Sequence, residues 1–248
     1  MITIAIANQK GGVGKTTTAV TLAHGLALKS FNVLLVDLDP QGQCASALGM
    51  DHDDGVFRLL AMDAPLRDVV RSTRRPNLWL LPGDKRTKTA EGIMVLERKG
   101  VDTLATVLHQ NINGGLHYIV IDTAPSVGGL QENALYAADM LIIPSAVDHL
   151  ALEGIASVIQ TLRAVRRTNL PPMRILPTFF DDTTRESKTN LEHLQRHFGD
   201  LVLPPIHRAT TLRECPALGQ TIFEYQPKSR PAEEYAQLVW EVINVSTA

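Results

Sequence analysis

Residues 1–17, MITIAIANQKGGVGKTT, constrain this chain more than any other stretch. Ile2, Ile4 and Ile6 lie in a short β-rich run, and from Asn8 the sequence turns polar and glycine-rich. A helical pattern begins at Lys15, with Ala19, Leu22, Ala23 and Leu26 spaced to share one face. Strand, glycine loop and helix in this order, with the full GxxxxGK[ST] spacing, are the context a phosphate-binding loop requires. Gly11, Gly12 and Gly14 let backbone N–H groups approach phosphate oxygens, and the helix directs its positive N-terminal end at the same place. The loop from Lys10 to Thr17, including Val13, is therefore assigned to nucleotide binding. Within it Lys15 carries charge to the β- and γ-phosphates, and the Thr16 hydroxyl is placed to ligate Mg²⁺.

Further apolar runs end or turn at polar residues. They are Asn32–Asp37, Tyr118–Ile121, Met140–Ile143 and Arg174–Leu176, with Leu78–Leu81 as a weaker case. Continuous runs of this kind suit strands buried on both faces. Helical patterns lie between them, clearest at Gln131–Ala138, Glu153–Arg167 and Arg185–Phe198. The expected fold is α/β, with residues 1–248 forming a single domain built on a doubly wound, mostly parallel sheet flanked by helices. Asp84–Gly100 is charged, lacks a clean period and is read as partly mobile.

Bulk properties exclude several function classes. Hydrophobic residues at 44 % and charged residues at 20 % are ordinary for a soluble globular chain. A net charge of −2 means that any nucleic-acid binding must come from a local basic patch. Cys44 and Cys215 stand far apart in no metal-ligand spacing, which fits a reduced, cytoplasmic protein. No apolar run approaches the ~18 residues of a membrane span. The segment from Ala232 to Val245 carries Glu233, Glu234 and Glu241 without lysine or arginine, so no basic membrane anchor is expected there.

Three carboxylates complete the expected site. Asp37 and Asp39 follow the second strand, where residues two apart project to one side of an extended chain. Both also suit capping of the short helix that follows. Asp122 ends a buried run, Tyr118-Ile119-Val120-Ile121-Asp122, as a Walker B carboxylate does beside Mg²⁺.

KGGVGKTT, with a second lysine opening the loop, resembles the deviant Walker A motif of the ParA/MinD family of ATPases. By that resemblance the fold is a P-loop NTPase of the deviant type, and ATP with Mg²⁺ is its cofactor pair. Lys10 then acts in trans on the nucleotide of a second protomer, while Lys15 acts in cis. LLVDLDPQGQ resembles the family's second motif, which makes Asp39 the water-orienting residue and puts Asp37 in the metal's outer shell. Thr123, Pro125 and Ser126 resemble the D-x-x-P-S switch that senses the γ-phosphate. Ala146 and Asp148 depart from the usual glutamine and glutamate.

The tail, with Glu214, Pro216, Gly219, Tyr225, Pro227, Ser229, Arg230, Ala232 and Tyr235 on pattern, resembles partition ATPases rather than the MinD branch. The resemblance implies an ATP-dependent homodimer that hydrolyses ATP slowly and binds non-specific DNA. It also implies stimulation by a ParB-like centromere-binding partner, chromosome or plasmid segregation, and nucleoid association in the ATP state. Arg208 sits on the family's first DNA-contacting arginine. Arg213 stands two residues beyond the second, at Thr211, and Arg185 and Lys188 add a basic helix face. Arg163, Arg166 and Arg167 end another helix. With no helix-turn-helix before Met1, operator binding is not expected. Two other readings are a MinD-like division-site regulator and a nucleotide-gated DNA scaffold with little turnover.

Overall fold

The computed structural model describes residues 1–111 and 114–247. Its first half contains β1 (Ile2–Ile6), α1 (Lys15–Leu28), β2 (Val33–Asp37), α2 (Gln43–Ala47), α3 (Gly55–Ala61) and α4 (Leu66–Val69). There follow β3 (Arg71–Ser72), β4 (Leu78–Leu81), α5 (Arg86–Leu96), α6 (Thr103–Asn111) and β5 (Tyr118–Asp122). The second half adds α7 (Gly129–Ala137), β6 (Met140–Ala146), α8 (Ala151–Arg166), β7 (Met173–Thr178) and α9 (Arg185–Phe198). A 3₁₀ turn at Gly199–Leu201 leads to α10 (Thr211–Ala217), α11 (Ile222–Tyr225) and α12 (Arg230–Thr247).

The strands form one sheet in the order β3-β4-β2-β5-β1-β6-β7. All neighbours are parallel except the edge pair β3–β4. Alternate side chains of each apolar run serve opposite faces, as strand geometry demands. Val33 and Leu35 of β2 join Val120 of β5 and Ile142 of β6 on the face covered by α1 and α12. Leu34, Val36, Ile119 and Ile121 face a second cluster built with α3, α5, α6 and α7. Ala5, Leu141 and Ile143 face α8 and α9. Burial on both sides explains why these strands read as unbroken apolar runs.

Two expectations change. Asp84–Gly100 is not irregular: it holds α5, which buries Ala90 and Met94 against the second cluster while leaving Val95 and Leu96 exposed. So thin a buried stripe produces little periodicity. Helix α1 buries not one face but every residue from Thr18 to Ala27, because α12 packs on the side opposite the sheet. A Cβ on Gly25 would stand 2.5 Å from Val239 Cγ2, which sets how closely the two helices approach.

Candidate nucleotide site

Parallel register brings the C-terminal ends of three strands together, with Ile6 beside Asp122 and Asp122 beside Asp37. Ligands of doubly wound sheets bind beyond such ends, where the strand order reverses. The loop after β1 is fixed at both ends. Asn8 Nδ2 donates to the Pro144 carbonyl at 2.8 Å, and Asn8 Oδ1 accepts from the Lys10 N–H at 2.9 Å. The Thr178 hydroxyl donates to the Val13 carbonyl at 3.0 Å, and Val13 itself is buried. Gly12 and Gly14 adopt φ of 72° and 86°, a region that a Cβ makes costly. Gly14 caps α1 with no side chain in the way, so the helix's first N–H groups stay open to an anion.

Lys15 is buried, and its ammonium donates to the Lys10 carbonyl at 2.9 Å, lying folded back across the loop. Burial lowers its pKa, against the opposing charges of Asp122 and Asp39. Lys10 points elsewhere. Its Nζ lies 2.5 Å from Asp148 Oδ2, with both side chains about one-third exposed (30 % and 35 %). The aspartate that departs from the family pattern is thus the partner of the first loop lysine.

Asp37 and Asp122 are fully buried. Asp37 Oδ1 accepts from the Asp39 N–H at 3.1 Å, and Oδ2 accepts from the Cys44 N–H at 3.0 Å in the first turn of α2. Asp37 thus satisfies one N–H in the first turn of the short helix, whose N-cap is Gly42. Burial, then repulsion from Asp122, pushes its pKa well above the usual carboxylate range. Asp122 is raised to about 7 by burial and by the charge of Asp39, against a hydrogen bond with Thr16.

Asp122 Oδ1 is buried with no partner. Donor atoms of Asp37, Cys44 and Asp122 lie within 4.8 Å of one another. Cys44, whose thiol pKa is pushed well up by burial, stays a neutral donor, with Sγ 3.5 Å from Asp122 Oδ2. A hard cation prefers oxygen. The orphaned Asp122 oxygen and the Thr16 hydroxyl fit Mg²⁺, with Asp37 behind them.

Asp39 is 7 % exposed, and its Oδ1 accepts from the Gln41 N–H at 2.9 Å. It lines the same cavity of about 560 Å³ as Lys15, Thr16 and Pro125. The Thr123 hydroxyl, buried, donates to the Ile6 carbonyl at 3.0 Å, while Pro125 and Ser126 lie exposed on the rim. The far wall comes from α5 and α7, through Lys88, Glu91, Leu130 and Gln131. Sequence reasoning missed these residues: α5 went unrecognised, and nothing local marks Gln131. Phe179, also on the wall and at φ 56°, directly follows β7. Its position at a strand's C-terminal end was the available signal.

The basic residues divide. Arg185, Lys188, Arg208 and Arg213 are all exposed. Arg208 and Arg213 line a second cavity of about 260 Å³ that abuts Gly12, Gly14 and Thr17, with Phe179, Ile206 and Leu212 as apolar walls. Arg185 and Lys188 stand in the first turn of α9. Arg166 turns inward instead, donating to the Ala138 carbonyl and stacking over Tyr136. Cys44 and Cys215 are buried and unpaired with each other.

A family model described as an AAA domain matches residues 1–175. The chromosome-partitioning ATPase Soj of Thermus thermophilus is 40 % identical over 245 residues, covering 97 % of this chain and 94 % of that protein. The sporulation initiation inhibitor protein Soj of Bacillus subtilis is 38 % identical over 246 residues, covering 96 % and 97 %. Among solved structures, cobyrinic acid a,c-diamide synthase from Mycobacterium smegmatis with bound ADP and magnesium superposes with a TM-score of 0.84 at 30 % identity, covering 100 % and 96 %. With near-complete coverage by the Soj proteins and a phosphate loop, paired lysines and strand-end aspartates in place, this chain belongs to the ParA/Soj family of P-loop ATPases.

Proposed function

We propose that this protein is a partition ATPase, acting as a single domain, that binds Mg–ATP at the cavity between the first loop and α7. Two protomers close over their nucleotides, each lending Lys10 to the other, and the closed pair binds duplex DNA without sequence preference. A ParB-like partner stimulates hydrolysis and so releases the DNA, which moves a chromosome or plasmid. The carrying observation is convergence: Lys15, Thr16 and Asp39 line one cavity, and the unpartnered oxygen of Asp122 stands behind it. Mg²⁺ there supplies charge neutralisation of the phosphates. Lys15 binds the phosphates, and Asp39 orients the attacking water. Lys10 lies partly exposed and reaches the second protomer once its pair with Asp148 opens. Phe179, Ile206 and Leu212 offer apolar contact to the purine. Arg185, Lys188, Arg208 and Arg213 supply phosphate contacts on the DNA, which need only positioned cations.

The test is binding to non-specific duplex DNA at several salt concentrations, with ATP, ADP or no nucleotide, for wild type and Lys10→Ala. Binding that requires ATP and Lys10 and weakens steeply with salt supports the reading. No DNA binding in any state, with ATPase activity intact, overturns segregation as the role. Turnover of Asp39→Ala equal to wild type would overturn the water-orienting assignment.

A further inference from the structure

We infer that Gln131 is a second water-orienting residue of the nucleotide site, its carboxamide holding the attacking water together with Asp39. The inference rests on the ATPase reading above. Gln131 is the third residue of α7 and is 3 % exposed, and neither its Oε1 nor its Nε2 has a hydrogen-bond partner. It lines the cavity that also holds Lys15, Thr16 and Asp39. Buried carboxamides are almost always paired, so one left wholly unpaired marks a place where something else binds.

The surrounding fold shows that this is not careless packing. Asn133, two residues on and about equally buried, has a partner at both polar atoms. Its Oδ1 accepts from the Leu104 N–H at 3.0 Å, and its Nδ2 donates to the Gly129 carbonyl at 2.8 Å. Glu91, a carboxylate on this wall, is engaged with the start of α7, where its Oε1 accepts from the Leu130 N–H at 3.3 Å. Among the described residues, the other orphaned side-chain atom at this site is Asp122 Oδ1, which the metal reading explains.

The chemistry of the carboxamide identifies its partner. It offers one acceptor and two donor hydrogens, and a phosphate oxygen can only accept, which would leave Oε1 unpaired. Water both donates and accepts. A water held by Gln131 and Asp39 lies between two groups that fix its orientation, as a carboxamide does in other phosphoryl-transfer enzymes. In the reaction its oxygen bonds to the γ-phosphorus as the β–γ bridging bond breaks. The bridging electron pair leaves with ADP, and the water's protons pass to the phosphate and to solvent.

The test uses Gln131→Met, which keeps length and removes the polar atoms, and Gln131→Glu, which keeps shape and removes the donors. Gln131→Met is expected to bind Mg–ATP and Mg–ADP within about threefold of wild type while single-turnover hydrolysis slows at least about tenfold. Its nucleotide-free form is expected to unfold at or above the wild-type midpoint, since it loses unpaired buried atoms. Gln131→Glu is expected to regain hydrolysis as pH falls and its carboxyl protonates, a profile a packing role does not produce. Hydrolysis within twofold of wild type in Gln131→Met overturns the inference. So does a lower unfolding midpoint of its nucleotide-free form, which would show that the carboxamide is used by the fold. Wild-type protein that binds or hydrolyses no ATP would instead overturn the underlying function.

Discussion

Lys10 is held within its own protomer. For it to reach a neighbour's nucleotide, the 2.5 Å contact with Asp148 has to break. Both side chains are about one-third exposed, so the pair belongs with solvent-screened bridges worth roughly 0.5–1 kcal/mol. A two-fold dimer breaks two such pairs, about 1–2 kcal/mol in all, which is roughly five- to thirtyfold in association. Asp148→Asn removes the charge but keeps Oδ1, which accepts from the Leu150 N–H at 3.0 Å and shapes the turn into α8. The expected outcome is tighter ATP-dependent dimerisation by roughly that factor at low salt, with the gain shrinking as ionic strength rises. Sedimentation with Mg²⁺ and a non-hydrolysable ATP analogue measures it, and ADP serves as the control. A weaker dimer would refute the reasoning, because it would mean that Asp148 receives the partner's lysine across the interface. An unchanged constant at every salt concentration would mean that the pair restrains nothing.

Three further outcomes follow from closely packed groups. His24, whose Nδ1 lies 2.7 Å from Thr221 Oγ1, is held at a pKa of about 4 by burial. The unfolded state binds its proton first, so stability present above about pH 6.5 is lost towards pH 4, by about 3 kcal/mol; His24→Gln should lose that slope in urea titrations at pH 7.5 and 5. Asp122 acts with the opposite sign. Its pKa of about 7 makes the metal-free protein less stable as pH rises from about 4 through 7, and Mg–ADP binding should release a proton near pH 6 but not at pH 9, read by calorimetry in buffers of different ionisation enthalpy. Gly219 has φ 65°, and a Cβ there would stand 2.5 Å from Gly49 Cα; Gly219→Ala should cost at least about 2 kcal/mol by denaturant unfolding.

Local chemistry made the strands and the phosphate loop legible. The five longer strands are apolar on both faces, and the loop's glycines, lysines and threonines are consecutive. Asp37, Asp39 and Asp122 were legible as candidates because each stands at or just beyond the end of an apolar run. What the sequence concealed depends on pairing at long range. β5 inserts between β1 and β2, and only that register sets Asp122 beside Asp37 and raises both carboxyls. Lys10 meets Asp148 across 138 positions of sequence. Helix α1 looked amphipathic because the sequence does not announce that α12 will cover its second face. Gln131 is invisible for the opposite reason: its importance lies in what it does not touch.

The same pairings limit which parts of the site can respond to a nucleotide. Thr123 is tied by its hydroxyl to the Ile6 carbonyl in the middle of the sheet, so the turn after β5 is anchored at its start. At its far end, Glu91 of α5 accepts from the Leu130 N–H and holds the beginning of α7. Between these two anchors, Pro125, Ser126 and Val127 are exposed. A γ-phosphate that reorders this turn therefore acts on the segment from Ala124 to Gly128, and larger motion requires releasing Glu91. Asp39 has a comparable constraint, since its turn is pinned through Asp37 to the Cys44 N–H of α2. Arg75 extends that restraint to the tail: it donates to the Leu48 and Gly219 carbonyls and pairs with Glu224. Movement of the Asp39 turn large enough to displace α2 must strain the Arg75 contacts. That gives the nucleotide a physical route to α10 and α11, the same tail that carries Arg213.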